Sequence, residues 1–106
     1  MLDLNTATQI VKQKMPNDLV RSVFEYKNTY RFLVSSGKVF IKDDPTVIYA
    51  VVDKNTGDFS TEGTLEILYK FYDMGEDGIA AAKEYHEAED SMQPVDITAD
   101  QFNAMK

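Results

Sequence analysis

Apolar residues recur along the first part of the chain at helical spacing. Leu4, Ala7, Val11 and Met15 form one stripe and Ile10 widens it, which predicts an amphipathic helix over residues 5–16, NTATQIVKQKMP. Asn5 is the expected cap, and Pro16 disfavours helix at Met15. Lys12 and Lys14 sit where the helix dipole favours cations.

The period then shortens to two. Residues 19–27, LVRSVFEYK, and 30–35, YRFLVS, are rich in β-branched and aromatic residues, with KNT as a short connection. In the second run Tyr30, Phe32 and Val34 alternate with Arg31, Leu33 and Ser35, as in a strand with one buried face. KVFIK, residues 38–42, is expected as a third short strand, ended by Asp43-Asp44-Pro45. TVIYAVVD, residues 46–53, is almost wholly apolar, the pattern of a central strand covered on both sides.

That strand enters Asp53-Lys54-Asn55-Thr56-Gly57, and DFST leaves it, so the cluster predicts a hairpin turn. Its acids and amide superficially suit calcium, but the spacing fails. Glycine stands fifth where a calcium loop needs it sixth, and Thr64 occupies the twelfth position in place of an acid.

Three helices follow. TLEILYKFYDMG is expected as a helix with Leu65, Leu68, Tyr69 and Tyr72 on one apolar face, capped by Thr61 or Thr64 and ended by Gly75. EDGIAAAKEYHEAED has a thin apolar face of Ile79, Ala82, Tyr85 and Ala88 and is expected to dock lightly. SMQPVD is read as an extended linker, and ITADQFNAMK as a short closing helix whose Thr98 and Gln101 fit a capping box. The whole predicts one α+β domain, residues 1–106: an antiparallel sheet of three to five strands flanked by an N-terminal helix and C-terminal helices. The first two helices are expected on one face of that sheet, with residues 73–106 as an acidic helical extension.

Charge sharpens this picture. Residues 1–72 hold nine acids and nine bases, so the net charge of −7 lies wholly in residues 73–106. Such an acidic surface argues against direct nucleic-acid binding and suits a protein partner with a basic surface. Within it Glu84, Glu87 and Asp90 repeat at a spacing of three, and Glu76 and Asp77 precede them. These five are the candidate partner-binding residues, a solvated face being the alternative. The chain has no cysteine, which excludes disulfides and thiolate chemistry. No apolar run approaches the roughly 20 residues of a membrane span, so a soluble, cytoplasmic protein is expected.

Catalytic signals are sparse. His86 is the single histidine; Glu89 and Asp90 follow it at helical spacing and can orient it as a base, while Glu84 and Glu87 mark a solvated face. None of the serines sits in a Gly-x-Ser-x-Gly elbow, and the five glycines make no phosphate-binding loop or dinucleotide fingerprint. No cofactor or metal is expected. Aromatic and basic residues interleave in FEYKNTYRF, residues 24–32, where sheet packing accounts for them.

VVDKNTGDFSTEGT (51–64), followed by LEILYKF (65–71), resembles the YrhB-like toxin-immunity family, with a weaker match in TATQIVKQ (6–13). The layout is also similar to PepSY-like modules, and PVDITADQF resembles the ends of small phage-encoded proteins. The immunity resemblance implies a protein that binds and blocks a toxin without catalysis. The expectation is therefore a non-enzymatic protein-binding module of a bacterial mobile element. The alternatives are a phage structural or accessory protein and a small hydrolase using His86 with an acid.

Overall fold

The computed structural model describes residues 1–105; Lys106, the last residue of the expected acidic extension, lies outside them. Helix α1 (Leu4–Lys14) leads into strands β1 (Leu19–Tyr26), β2 (Thr29–Ser35), β3 (Ile48–Asp53) and β4 (Phe59–Glu62). Helices α2 (Thr64–Asp73) and α3 (Glu76–Glu89), a two-residue strand β5 (Gln93–Pro94) and helix α4 (Ala99–Ala104) complete the chain. All strand pairs are antiparallel, in the order β4-β3-β2-β1-β5, so the protein is α+β with a five-stranded sheet.

The sheet is covered on both faces. Ala7 and Val11 of α1 pack on Val20, Val23, Tyr30, Phe32, Val34, Ala50 and Val52. Ile67 of α2 and Tyr85 of α3 pack on Phe24, Tyr49 and Val51 from the other side. The first two helices therefore lie on opposite faces, not on one. The alternation in β2 explains it: Tyr30, Phe32 and Val34 serve the α1 face, while Arg31, Leu33 and Ser35 turn to the other face, where Arg31 and Ser35 are also buried. A strand expected to have one wet face has none.

Local chemistry moves several boundaries. Asp3, not Asn5, caps α1: its backbone is extended and its carboxylate accepts the Thr6 N–H at 2.8 Å. That pairing holds the Asp3 carboxyl below its usual range. Residues 38–42 are not a strand, because β2 already pairs with β1 on one edge and β3 on the other. The segment instead folds over Arg21, whose guanidinium lies 4.5 Å from the Phe40 ring and donates to the Lys42 carbonyl at 3.2 Å. The expected linker at 91–96 contributes β5, and Val95 and Asp96 continue its bonding by donating to the Arg21 and Val20 carbonyls.

The Asp53–Gly57 turn forms as expected. The Asp53 carboxylate accepts the N–H groups of Asn55 and Thr56 at 2.8 and 2.9 Å, which lowers its pKa, and Gly57 takes φ +77° where a side chain would be strained. In α4 the Thr98–Gln101 capping box is complete in both directions.

Candidate protein-docking face

Helix α2 shows its apolar stripe to solvent. Ile67 is buried and Phe71 packs beside it, and those two anchors fix the helix rotation. The residues of the expected apolar face are the exposed ones: Leu65 63 %, Leu68 56 %, Tyr69 64 % and Tyr72 83 %. Helix spacing separates the two sets, since positions 67 and 71 share one side, 65, 69 and 72 share the other, and 68 lies between them. Neither Thr61 nor Thr64 caps α2; Gly63 occupies the N-cap without a side-chain bond.

The turn at Met74–Gly75 brings α3 back across α2 at very close range. A Cβ built on Gly78 would lie 1.8 Å from the Phe71 carbonyl oxygen, so only glycine fits there. With Gly78 and Tyr85 turned inward, Ile79 points outward at 76 % exposure, contrary to its expected place on the buried side of α3. Leu68, Tyr72, Gly75, Gly78, Ile79 and Ala82 line an open groove of about 580 Å³ between the two helices. Five large apolar side chains thus form one exposed face, and scattered single exposures do not describe it.

Exposed acids lie near the face in the chain, with Lys83 one turn beyond Ile79. Glu66 lies on α2 between its apolar residues, Asp73 ends that helix, and Glu76 and Asp77 open α3; all four are exposed. Lys70 is drawn off toward β4, donating at 3.3 Å to Glu62. Of the five candidate partner-binding acids, Glu76 and Asp77 adjoin this groove in the chain. Glu84 and Glu87 are exposed further along α3, and Asp90 is its C-cap. All five are thus exposed along α3 and its C-cap, Glu76 and Asp77 at its start and the other three toward its end. The apolar half of the face was missed because helical periodicity identifies a stripe without saying which way it points.

A second cleft, about 720 Å³, opens between the carboxyl end of α3 and α4, lined by Leu33, His86, Glu89, Asp90, Met92, Phe102 and Met105. His86 Nδ1 lies 3.1 Å from Glu89 Oε1, and the Tyr49 hydroxyl donates to Glu89 Oε2 at 3.1 Å. Burial, together with the charge of Glu89, pushes the Tyr49 hydroxyl well above its ordinary range. The acid behind His86 is thus Glu89. Ser22, a buried serine on this side of the sheet, bonds Met92 Sδ at 3.4 Å, so its hydroxyl is turned to sulfur. No group of three or more His, Asp or Glu that could hold a metal occurs among the described residues.

Beneath α3 lies a charged centre that the spacing did not reveal. The buried Arg31 guanidinium makes two 3.4 Å bonds to Glu62 and lies 5.4 and 5.7 Å from the rings of Tyr85 and Tyr26. Burial pushes Glu62 up, but its bonds to Arg31 and Lys70 outweigh this and leave its carboxyl below the usual range. Arg31 Nε is buried without a hydrogen-bond partner, and the Tyr85 hydroxyl is buried against Arg31 and Tyr49 with no hydrogen bond of good geometry. No helix among the described residues is long and apolar enough to cross a membrane. No family model, curated protein or solved structure matches the chain.

Proposed function

We propose that this chain is a protein-binding module without chemistry of its own, docking through the outer face of α2 and the start of α3. The observation that carries this is the exposed set Leu65, Leu68, Tyr69, Tyr72 and Ile79. Leaving such a stripe in water forgoes burial of roughly 1.5–3 kcal/mol per side chain, a cost a protein partner removes. Aromatic anchors beside a groove are also the composition of interface hot spots. Toxin immunity within a bacterial mobile element is the specific role that the resemblance of residues 51–71 supports. A photo-crosslinking amino acid at position 68 or 72 tests the docking face in cells of the native host. The expected result is one heterologous adduct from these positions, none from exposed position 13 on α1, and loss of the adduct in L65S/Y69S. Equal labelling from position 13, or no adduct from α2, overturns the proposal.

A further inference from the structure

The charge around the docking face narrows what covers it. Four of the five apolar residues lie within little more than two turns of α2 and the fifth, Ile79, on α3, whereas a stable interface takes about 20–30 residues a side. A partner that seals the apolar stripe therefore also covers exposed neighbours in the chain, among which Glu66, Asp73, Glu76 and Asp77 outnumber the bases. Lys70 is bonded to Glu62, and Lys83, one turn beyond Ile79 on α3, offsets only one of these four charges. A second copy placed symmetrically on the same face would set these acids against their own copies, and like charges brought together in an interface are repelled. An anionic lipid surface meets the same repulsion.

Resting on the docking face proposed above, we infer that its occupant is a basic amphipathic helix: apolar side chains enter the groove between Leu68, Tyr72 and Ile79 while lysines or arginines meet Asp73, Glu76 and Asp77. The groove suits this geometry. Gly75, Gly78 and Ala82 project little or nothing into it, so a helix can lie close, with Leu68, Tyr72 and Ile79 gripping the residues it inserts. The acids give orientation and a fast encounter, and the apolar stripe gives residence time.

The probe is a short amphipathic peptide of leucine and lysine, with its leucine–glutamate counterpart as control, titrated into the 15N-labelled full chain. The Leu/Lys peptide is expected to bind with shift changes concentrated on residues 64–82, and the Leu/Glu peptide not to bind. D73N/E76Q/D77N weakens binding about tenfold at low salt and flattens its salt dependence, because steering charges are lost. L68S/Y72S abolishes it while leaving those three charges in place. Binding spread over the acids of residues 84–100, or indifferent to L68S/Y72S, shows charge attraction alone and overturns the inference. So does a concentration-dependent dimer, seen by light scattering, that is lost in L68S/Y72S. If the peptide fails while crosslinking at position 68 still captures one partner, the docking face stands and the basic helix is wrong. If crosslinking fails as well, the docking face falls with it.

Discussion

Gly78 and Phe71 fix the corner on which the docking face is built. Gly78→Ala forces a methyl into the Phe71 carbonyl, so the helices must separate; the expected loss is about 1–3 kcal/mol, or more where the backbone cannot shift. Gly63→Ala is the control, since its Cβ would meet nothing nearer than 3.5 Å and its φ is an ordinary −75°. Urea unfolding of the two variants checks this, and equal losses refute the close-contact account. At the β1–β2 turn, Lys27 holds φ +53°, a conformation that asparagine tolerates better. Lys27→Asn is therefore expected to raise stability by up to about 1 kcal/mol, read as a higher urea midpoint at unchanged slope. These residue-scale features differ in legibility. Asp53 and Gly57 announce a turn because the same short stretch supplies both the side-chain acceptor and the positive φ. The role of Gly78 depends on a carbonyl seven residues earlier that approaches only once α3 folds back, and nothing local encodes that distance.

At the scale of the element, α2 shows where periodicity stops being informative. Its helical character was plain, but two apolar sets compete: Ile67 with Phe71, and Leu65 with Leu68, Tyr69 and Tyr72. The larger set would win if burial within this chain were the only demand. The smaller one wins because Ile67 and Phe71 close over the aromatic cluster of Phe24, Tyr49 and Tyr85, leaving the larger set free. Calorimetry or urea unfolding separates the two orientations. Leu68→Ser is expected to change stability by no more than about 0.5 kcal/mol, as at an ordinary surface site. Ile67→Ala should cost about 2–5 kcal/mol, as at a core site. The reverse order would mean that α2 is rotated the other way. The lost strand at residues 38–42 has a related cause. Its composition suits a strand, but β2 offers no free edge beside it, and pairing is a property of the sheet rather than of the segment. The capping box of α4, by contrast, is local, and the sequence marks it completely.

The whole molecule responds to pH through groups perturbed partly by local caps and turns and partly by the assembled fold. On the acid side Asp3, Asp44 and Asp53 are lowered chiefly by hydrogen bonds from nearby backbone or side-chain donors. In Glu62, Arg31 and Lys70 outweigh burial. A folded pKa below the unfolded one contributes stability above about pH 4 that is lost as pH falls further, so acid should loosen the fold. The alkaline side carries the sharper test. Burial pushes the Tyr85 hydroxyl up to about 12, with Arg31 partly offsetting it, and Tyr49 is raised in the same direction. Here the folded pKa lies above the unfolded one, so the contribution is complete below about pH 10 and is lost as pH rises through the folded value. Tyrosinate absorbance should therefore show Tyr49 and Tyr85 ionising only as the chain unfolds. Tyr85→Phe decides whether this centre is responsible. Its hydroxyl lies against Arg31 and Tyr49 but makes no hydrogen bond of good geometry, so its removal should change stability near neutral pH by no more than about 1 kcal/mol. The same variant should unfold less steeply with pH above about 10, because one of the two suppressed ionisations is gone. A Tyr85→Phe protein that is destabilised at neutral pH by more than about 1 kcal/mol, with an alkaline limb like that of the parent, would show that the hydroxyl is bonded and that the alkaline response arises elsewhere.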